Sequence, residues 1–191
     1  MALPSSITTK NLSGRYTMNK ALSDATAIDQ MLGYQGIGWI KRKAIAIGTI
    51  TLTVTHTTSP SGDENITIDN HLTGGIPGSR EERPLDGEER GRSDMHFGKT
   101  LFYTKRVSVK DAEPLSGFLK GGKWTDDTVE AGLIETKIRA DVGNGKAGWV
   151  EHHIWGVEEF NGERRFTRRI SFEGAKKEKL EIVMYFDYLG A

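Results

Sequence analysis

A long series of short alternating segments joined by turn signals constrains this chain more than any other feature. In residues 49–57, every second residue is apolar or histidine and the residues between them are threonines, as in a half-buried strand. Asn161-Gly162 is the strongest hairpin signal, because a type I′ turn needs positive φ at both central positions. Such segments continue to the C-terminus and suggest about nine or ten strands. The pattern therefore predicts an all-β chain.

The short connections predict how these strands are arranged. A meander of this length normally closes on itself, because closure removes exposed strand edges. A barrel of that size is wider than side chains alone can fill, so it should enclose a cavity. Near the N-terminus, Ile28, Met31 and Leu32 have helical spacing. We therefore expect a single closed up-and-down antiparallel β-barrel, with a short helical lid at about residues 22–47.

Length and composition limit the domain organisation and the class of partner. The chain has 191 residues, which fits one domain, with a flexible tail at residues 1–11 and the barrel at 12–191. The formal net charge is zero, which argues against nucleic acid as a partner. The absence of cysteine, of a signal-peptide pattern and of a long apolar run predicts a cytoplasmic protein without a membrane span. We expect a monomer or a weak homodimer.

The sequence resembles two known families. Leu12–Met18, Ser23-Asp24 and Leu32–Ala44 resemble the N-terminal pattern of fatty-acid-binding proteins. The whole chain is similar to fungal lipocalin-like proteins of the calycin superfamily, with Gln35–Trp39 and Tyr185–Tyr188 among the shared stretches. This resemblance implies a lipocalin-like barrel that binds a hydrophobic or polycyclic small molecule. Some members of that group are implicated in ring-forming steps of secondary-metabolite pathways, such as Diels–Alder cyclisation.

One departure from the fatty-acid-binding pattern concerns the ligand anchor. In that family, the final strand carries an Arg-x-Tyr pair for the ligand carboxylate. Here the final strand, Ile182–Tyr188, contains no arginine. Arg168 or Arg169 on the preceding strand is a candidate replacement, and the departure weakens the case for a simple fatty-acid carrier.

The candidate site residues are aromatic side chains and polar groups on strands or near the lid. Aromatic rings with polar tips are common in cavities for apolar ligands, although plain core packing is an equally weighted alternative at each position. The predicted ligand-binding residues are Trp39, Tyr103, Trp124, Trp149, Trp155 and Arg168. The predicted catalytic residues, which would polarise the substrate or shuttle a proton, are His56, Asp69, Asp94, His152 and Tyr185.

Several motif-like stretches are better explained by structure than by chemistry. Residues 143–148 fit G-x-G-x-x-G, but a strand follows where a dinucleotide site needs a helix. Residues 117–123 nearly spell a P-loop, but Trp124 stands where Ser or Thr must bind magnesium. The histidines lack metal-ligand spacing. We therefore predict neither a metal nor a cofactor.

Two functions remain open. The first is a cofactor-independent cyclase or isomerase, a Diels–Alderase-like pericyclase, that folds a reactive substrate into a near-attack shape. The second is a passive intracellular carrier of a lipid or another hydrophobic ligand. The missing arginine on the final strand and the mixed polar and aromatic candidates favour the first.

Overall fold

The computed structural model describes residues 2–73, 78–94, 96–110, 117–143 and 148–191, with only the backbone of Asp94. Ten strands form one antiparallel sheet in the order β4-β3-β2-β1-β10-β9-β8-β7-β6-β5. The strands are β1 (Gly14–Met18), β2 (Ile50–Thr58), β3 (Glu64–Leu72), β4 (Ser79–Pro84), β5 (Arg90–Asp94), β6 (Gly98–Val107), β7 (Leu133–Ala140), β8 (Val150–Phe160), β9 (Glu163–Glu173) and β10 (Lys179–Gly190). The helices are α1 (Ala25–Tyr34), α2 (Trp39–Ile47), α3 (Gly117–Lys120) and α4 (Asp126–Ala131). The all-β meander is confirmed.

The two ends of the strand order are consecutive in the chain but do not form a ladder. No pairing joins β4 to β5 within the part of the chain that the structure describes. The segment between β4 and β5 forms backbone hydrogen bonds with β3 on one side and β6 on the other. Leu85 N–H donates to Glu64 O of β3 at 2.9 Å. Gly87 N–H donates to Thr104 O, also at 2.9 Å. The sheet is therefore a curled barrel with an unpaired seam, and complete closure is not confirmed.

The predicted helical segment consists of α1 and α2, which differ in burial. Ile28, Met31 and Leu32 of α1 are buried, in agreement with their helical spacing. Helix α2 buries none of its residues, and Trp39 at its start is 64% exposed. None of the helices in the described ranges is long and apolar enough to cross a membrane.

Strand β7 begins only at Leu133, because a short helix occupies the residues before it. Asp126–Ala131 forms α4, whose first turn carries two aspartates, a favourable charge at a helix N-terminus. Gly132 ends this helix with φ at +87°, and β7 starts at the next residue. Residues 144–147 of the G-x-G-x-x-G stretch lie outside the described residues.

The N-terminal segment is packed, which corrects the flexible tail expected at residues 1–11. Leu3 and Ile7 are buried, and Leu3 N–H donates to Arg164 O at 2.8 Å. The Thr9 hydroxyl donates to Gly132 O at 2.8 Å. The N-terminal segment has few apolar residues and they form no periodic pattern, but they bury surface at the end of the barrel opposite α1.

The barrel interior is solid in one half and hollow in the other. In the solid half, Phe166 packs against Tyr16 and Phe186, each with a ring-centre separation of 5.3 Å. Trp155 meets the same Phe166 edge-on at 6.5 Å and marks the boundary with the hollow half. The cavity therefore lies at the end of the barrel near α1.

Candidate functional site

The hollow half contains two adjoining chambers. The inner chamber has a volume of about 200 Å³ and extends to Trp149 and Trp155. The outer chamber has a volume of about 250 Å³ and reaches Ile37 and Ile45 of the helical segment. The residues that line both are Met31, Leu32, Ser79, Glu81, Phe97, Arg168 and Met184. Together the chambers fall in the size range of small-molecule sites.

Arg168 is the central polar group of this cavity. The register pairs it with Trp155, and its guanidinium carbon lies 4.1 Å from the centre of a Trp155 ring. Its Nε and Nη2 atoms are buried without a hydrogen-bond partner in the described protein. Burial lowers the pKa of Arg168 to about 10, with Glu81 opposing that effect. The side chain therefore stays charged near neutral pH, with two donors available to a ligand.

A buried ion pair stands beside Arg168. Glu81 accepts a hydrogen bond from Arg83 Nη2 at 2.6 Å, and Arg92 lies 3.8 Å from its other oxygen. Burial opposes ionisation of Glu81, but Arg83, Arg168 and Arg92 outweigh it and hold its pKa at about 2. Glu81 is thus a fixed negative charge among three positive groups.

A second polar group lines the inner chamber, from β8 and from Gln35, the residue that follows α1. His153 Nε2 lies 2.9 Å from Glu151 Oε2, and Gln35 Nε2 donates to Glu151 Oε1 at 2.5 Å. Burial lowers the pKa of His153, although Glu151 opposes the shift. The imidazole is therefore neutral near pH 7.

The side chains around the inner chamber carry several buried polar atoms without a hydrogen-bond partner among the described residues. Buried polar atoms normally form hydrogen bonds, and leaving one unpaired costs about 1–3 kcal/mol. Among the described residues, the side chains that line this chamber carry six such atoms: Gln35 Oε1, Arg83 Nη1, His153 Nδ1, Trp155 Nε1, Arg168 Nε and Arg168 Nη2. This set combines several donors with two acceptors in an aromatic chamber, an arrangement suited to an apolar molecule with a carbonyl or anionic head group.

Three of the predicted ligand-binding residues line this chamber: Trp149, Trp155 and Arg168. Trp155 is 1% exposed, and Trp149 packs edge-on against Phe97 with ring centres 6.2 Å apart. The other predicted residues whose side chains the structure describes lie elsewhere.

Tyr103 and His152 lie on the outer face of the sheet. The Tyr103 hydroxyl donates a hydrogen bond to Glu135 Oε1 at 2.7 Å, and His152 Nε2 lies 2.9 Å from the same oxygen. Lys137 pairs with both of them, whereas the cavity residue Glu151 pairs with Ile138. The two side chains therefore cannot reach the cavity without a change of register.

Trp124 and Tyr185 are also on the outer face. Trp124 packs on Gly156, and its indole N–H donates to Lys120 O at 3.0 Å. Tyr185 packs against Phe160, with ring centres 4.6 Å apart. Both aromatic side chains fill contacts between the sheet and its neighbouring segments.

The remaining candidates are distributed around the barrel. His56 faces inward but at the solid end, where its Nδ1 accepts from Leu12 N–H at 3.3 Å and its Nε2 contacts Glu64 at 3.2 Å. Asp69 is paired with Arg80 at the surface, 3.4 Å away. Trp39 lines a groove beside α2. The side chain of Asp94 lies outside what the structure describes.

Polar residues of the chamber that were not among the predicted site residues include Gln35, Glu81, Arg83, Glu151 and His153. For two of them, a signal was present. Trp149 and Trp155 are six residues apart, so strand alternation puts them on one face, together with Glu151 and His153. Arg83 and Glu81 come from a short, highly charged strand that reads as surface.

Comparison with known proteins finds relatives by sequence and solved structures with a similar fold. No protein-family model matches the chain. It is 29% identical over 192 residues to pericyclase pydY of Acremonium sp, covering 100% of this chain and 98% of that protein. It is 30% identical over 193 residues to probable pericyclase scpY of Mollisia scopiformis, covering 99% and 95%.

Solved structures agree with the barrel architecture. The fluorescent protein UnaG has a TM-score of 0.55 at 12% identity, covering 93% of this chain and 97% of that one. As-p18, an extracellular fatty acid binding protein, has a TM-score of 0.53 at 13% identity, covering 93% and 95%. These likenesses show the fold, whereas the full-length sequence matches show the family. The chain belongs to the same family as the fungal proteins pericyclase pydY and probable pericyclase scpY.

Proposed function

We propose that this protein catalyses a pericyclic ring closure of a hydrophobic substrate held in the two chambers. The observation that carries the proposal is the buried Arg168 guanidinium, stacked on Trp155, with two donors that no described residue occupies. Burying a charge without hydrogen bonds is costly, so its retention in a cavity favours a role in binding. The family relationship to proteins named pericyclases agrees with this activity.

The proposed division of labour follows from the lining. The apolar walls, with Trp149 and Trp155, fold the chain of the substrate so that the reacting carbons approach. Correct positioning alone can lower a barrier by up to about 7–11 kcal/mol. Arg168 binds the carbonyl or anionic head group, and a donor on a carbonyl withdraws electron density from the alkene conjugated to it. Such an alkene reacts faster with an electron-rich diene.

In this proposal, the helical segment acts as the lid of the cavity. Met31 and Leu32 of α1 line both chambers, and Ile45 of α2 lines the outer one. The substrate would enter beside α2, where few side chains are buried and a groove leads past His96. Closure over the substrate would exclude water and fix its folded shape.

The test is conversion of a linear polyene that carries a conjugated diene and a carbonyl-activated alkene. We expect the protein to give a cyclised product of unchanged mass with one dominant stereochemistry, followed by liquid chromatography and mass spectrometry. Buffer alone would give a slower reaction and a mixture of stereoisomers. The alternative function, a passive carrier, is favoured only by the fold shared with a fatty acid binding protein. A carrier would bind these polyenes and release them unchanged.

A further inference from the structure

The His153–Glu151 pair has the arrangement of a general base. A carboxylate can only accept hydrogen bonds, so the 2.9 Å contact requires the proton of a neutral imidazole to sit on Nε2. The other nitrogen, Nδ1, then carries a lone pair. This Nδ1 atom is buried and has no hydrogen-bond partner in the described protein, and the side chain of His153 lines the inner chamber. A structural histidine pair would normally satisfy both ring nitrogens.

Glu151 is itself held in place. Gln35, which follows α1, donates to its Oε1, while its Oε2 accepts from His153. This arrangement fixes the imidazole tautomer and orientation, and it would stabilise the imidazolium formed when Nδ1 takes a proton. Glu151 is thus a positioning residue, and His153 is the group that would contact substrate.

The charged groups around His153 favour a neutral imidazole and an anionic form of the substrate. Arg83 on β4 and Arg168 on β9 face it, as does Glu151 on its own strand, and Glu81 is paired with Arg83. Burial and the two arginines lower the pKa of His153, against the effect of Glu151. The imidazole is therefore unprotonated and ready to accept a proton near neutral pH.

The same face of the sheet places an anion-binding group near the base. His153 pairs with Ile170, and Trp155 pairs with Arg168, so His153 and Arg168 are diagonal neighbours on the cavity side. Diagonal neighbours in an antiparallel sheet are about 7–8 Å apart. This spacing leaves room for a conjugated carbonyl group with its oxygen toward Arg168 and a C–H bond toward His153.

We propose that this protein also isomerises its substrate by proton transfer, with His153 Nδ1 removing a proton from carbon conjugated to a carbonyl that Arg168 holds. The electron pair of the broken C–H bond moves into the conjugated system, and the carbonyl oxygen becomes an enolate beside the guanidinium. The imidazolium then returns the proton to another carbon of the system or to oxygen. No oxidant or co-reactant is consumed. The step rests on the proposed function, for which it would generate the diene that ring closure uses.

The experiment uses 5-nitrobenzisoxazole, a small aromatic probe whose ring opens when a base removes its single reactive C–H proton. The proton goes to the base, the N–O bond breaks, and the charge ends on a coloured phenolate oxygen. We expect the wild-type protein to open the probe faster than free imidazole at equal concentration. His153→Asn should reduce the rate roughly 10²-fold, a typical contribution of a general base. Asn at this position can still donate to Glu151.

The matched variant is His152→Asn, one residue earlier and on the opposite face. We expect it to retain the wild-type rate. Equal rates for the two variants, or a wild-type rate no greater than that of free imidazole, would overturn the proposal. If His153→Asn does not fold, nitrogen NMR of the wild-type imidazole tests the proposal instead. A proton on Nδ1 rather than on Nε2 would show that Nδ1 cannot act as the base.

A pH profile separates catalysis from a structural role. The wild-type rate should rise with pH through the lowered pKa of His153 and then level. Glu151→Gln removes the group that raises this pKa, so the inflection should move to lower pH. An unchanged inflection would remove Glu151 from the mechanism. Opening of the probe without any cyclisation of polyenes would refute the proposed ring closure and leave the base in place.

Discussion

The guanidinium of Arg168 lies 4.1 Å from the centre of a Trp155 ring, and its Nε and Nη2 atoms have no hydrogen-bond partner in the described protein. A stacked cation that is not hydrogen-bonded is well placed to bind a ligand and poorly placed to stabilise the fold. We therefore expect Arg168→Met to abolish cyclisation and to leave the free energy of unfolding unchanged or about 1–4 kcal/mol higher. Product analysis and urea unfolding would measure the two effects.

Arg169→Met is the matched comparison. Arg169 points to the outer face and donates to Glu158, which is 2% exposed, at 2.6 Å. Its removal leaves a buried carboxylate unpaired, so the free energy of unfolding should fall by about 3–5 kcal/mol. A larger loss of stability in Arg168→Met than in Arg169→Met would contradict the division between binding and folding roles.

Gly156 is required where the sheet meets Trp124. A Cβ at this position would lie 2.7 Å from the Trp124 ring and 2.9 Å from Leu133. We expect Gly156→Ala to lower the free energy of unfolding by about 1–3 kcal/mol, because the overlap forces the packed ring to move. Gly91→Ala is the control, since its nearest atom would be an ordinary 3.7 Å away. Thermal unfolding of both variants is the measurement.

Glu64 links stability to acid pH. Its burial opposes ionisation, but the hydrogen bond and charge of Arg106 prevail and lower its pKa to about 2. A carboxyl with a depressed folded-state pKa contributes stability above its unfolded value that disappears as the pH falls. The free energy of unfolding should therefore decline between about pH 4.5, the ordinary pKa of a glutamate side chain, and about pH 2, the pKa of Glu64 in the folded protein. Arg106→Gln should make this decline shallower.

The control for this series is Arg80→Gln. Arg80 is exposed and pairs with Asp69 at the surface, where an ion pair contributes little. Its variant should follow the wild-type pH dependence in urea unfolding. Equal slopes for the wild type and Arg106→Gln would remove Glu64 as a source of acid sensitivity.

The N-terminal segment should contribute to stability. Ile7 is buried against the barrel, and its carbonyl accepts from Arg164 Nη2 at 3.0 Å. We expect Ile7→Ala to cost about 2–5 kcal/mol, the range for buried isoleucine truncation. The exposed neighbour Ser6 should tolerate alanine within about 0.5 kcal/mol. Equal melting temperatures for both variants would mean that the segment is loose.

Sequence alternation predicted the meander well and the site in part. Trp149 and Trp155 line the cavity because one strand face carries both. The same parity assigns His153 to the cavity and His152 to the outside, so the choice of His152 did not use information already present. Alternation also separates Arg168 from Arg169, but it cannot say which face of β9 is inward until the partner strands are known.

Other assignments depended on contacts that no local pattern encodes. Trp124 looked like a wall of the cavity, but it packs outside because Gly156 leaves space for its ring. Arg83 and Glu81 looked solvated, but β4 brings them beside Arg168. Partners distant in the chain decide burial in both cases, so local composition was a poor guide.

The separation of the interior into a packed half and a hollow half has a consequence for how such a protein could diversify. The rings of Tyr16 and Phe166 lie in the packed half, whereas Met31, Phe97 and Met184 line both chambers. Substituting residues of the second group would change the shape of the cavity available to a ligand without disturbing the side chains that pack the strands together. A laboratory library confined to those positions could therefore sample new ring systems while most of its members remained intact proteins.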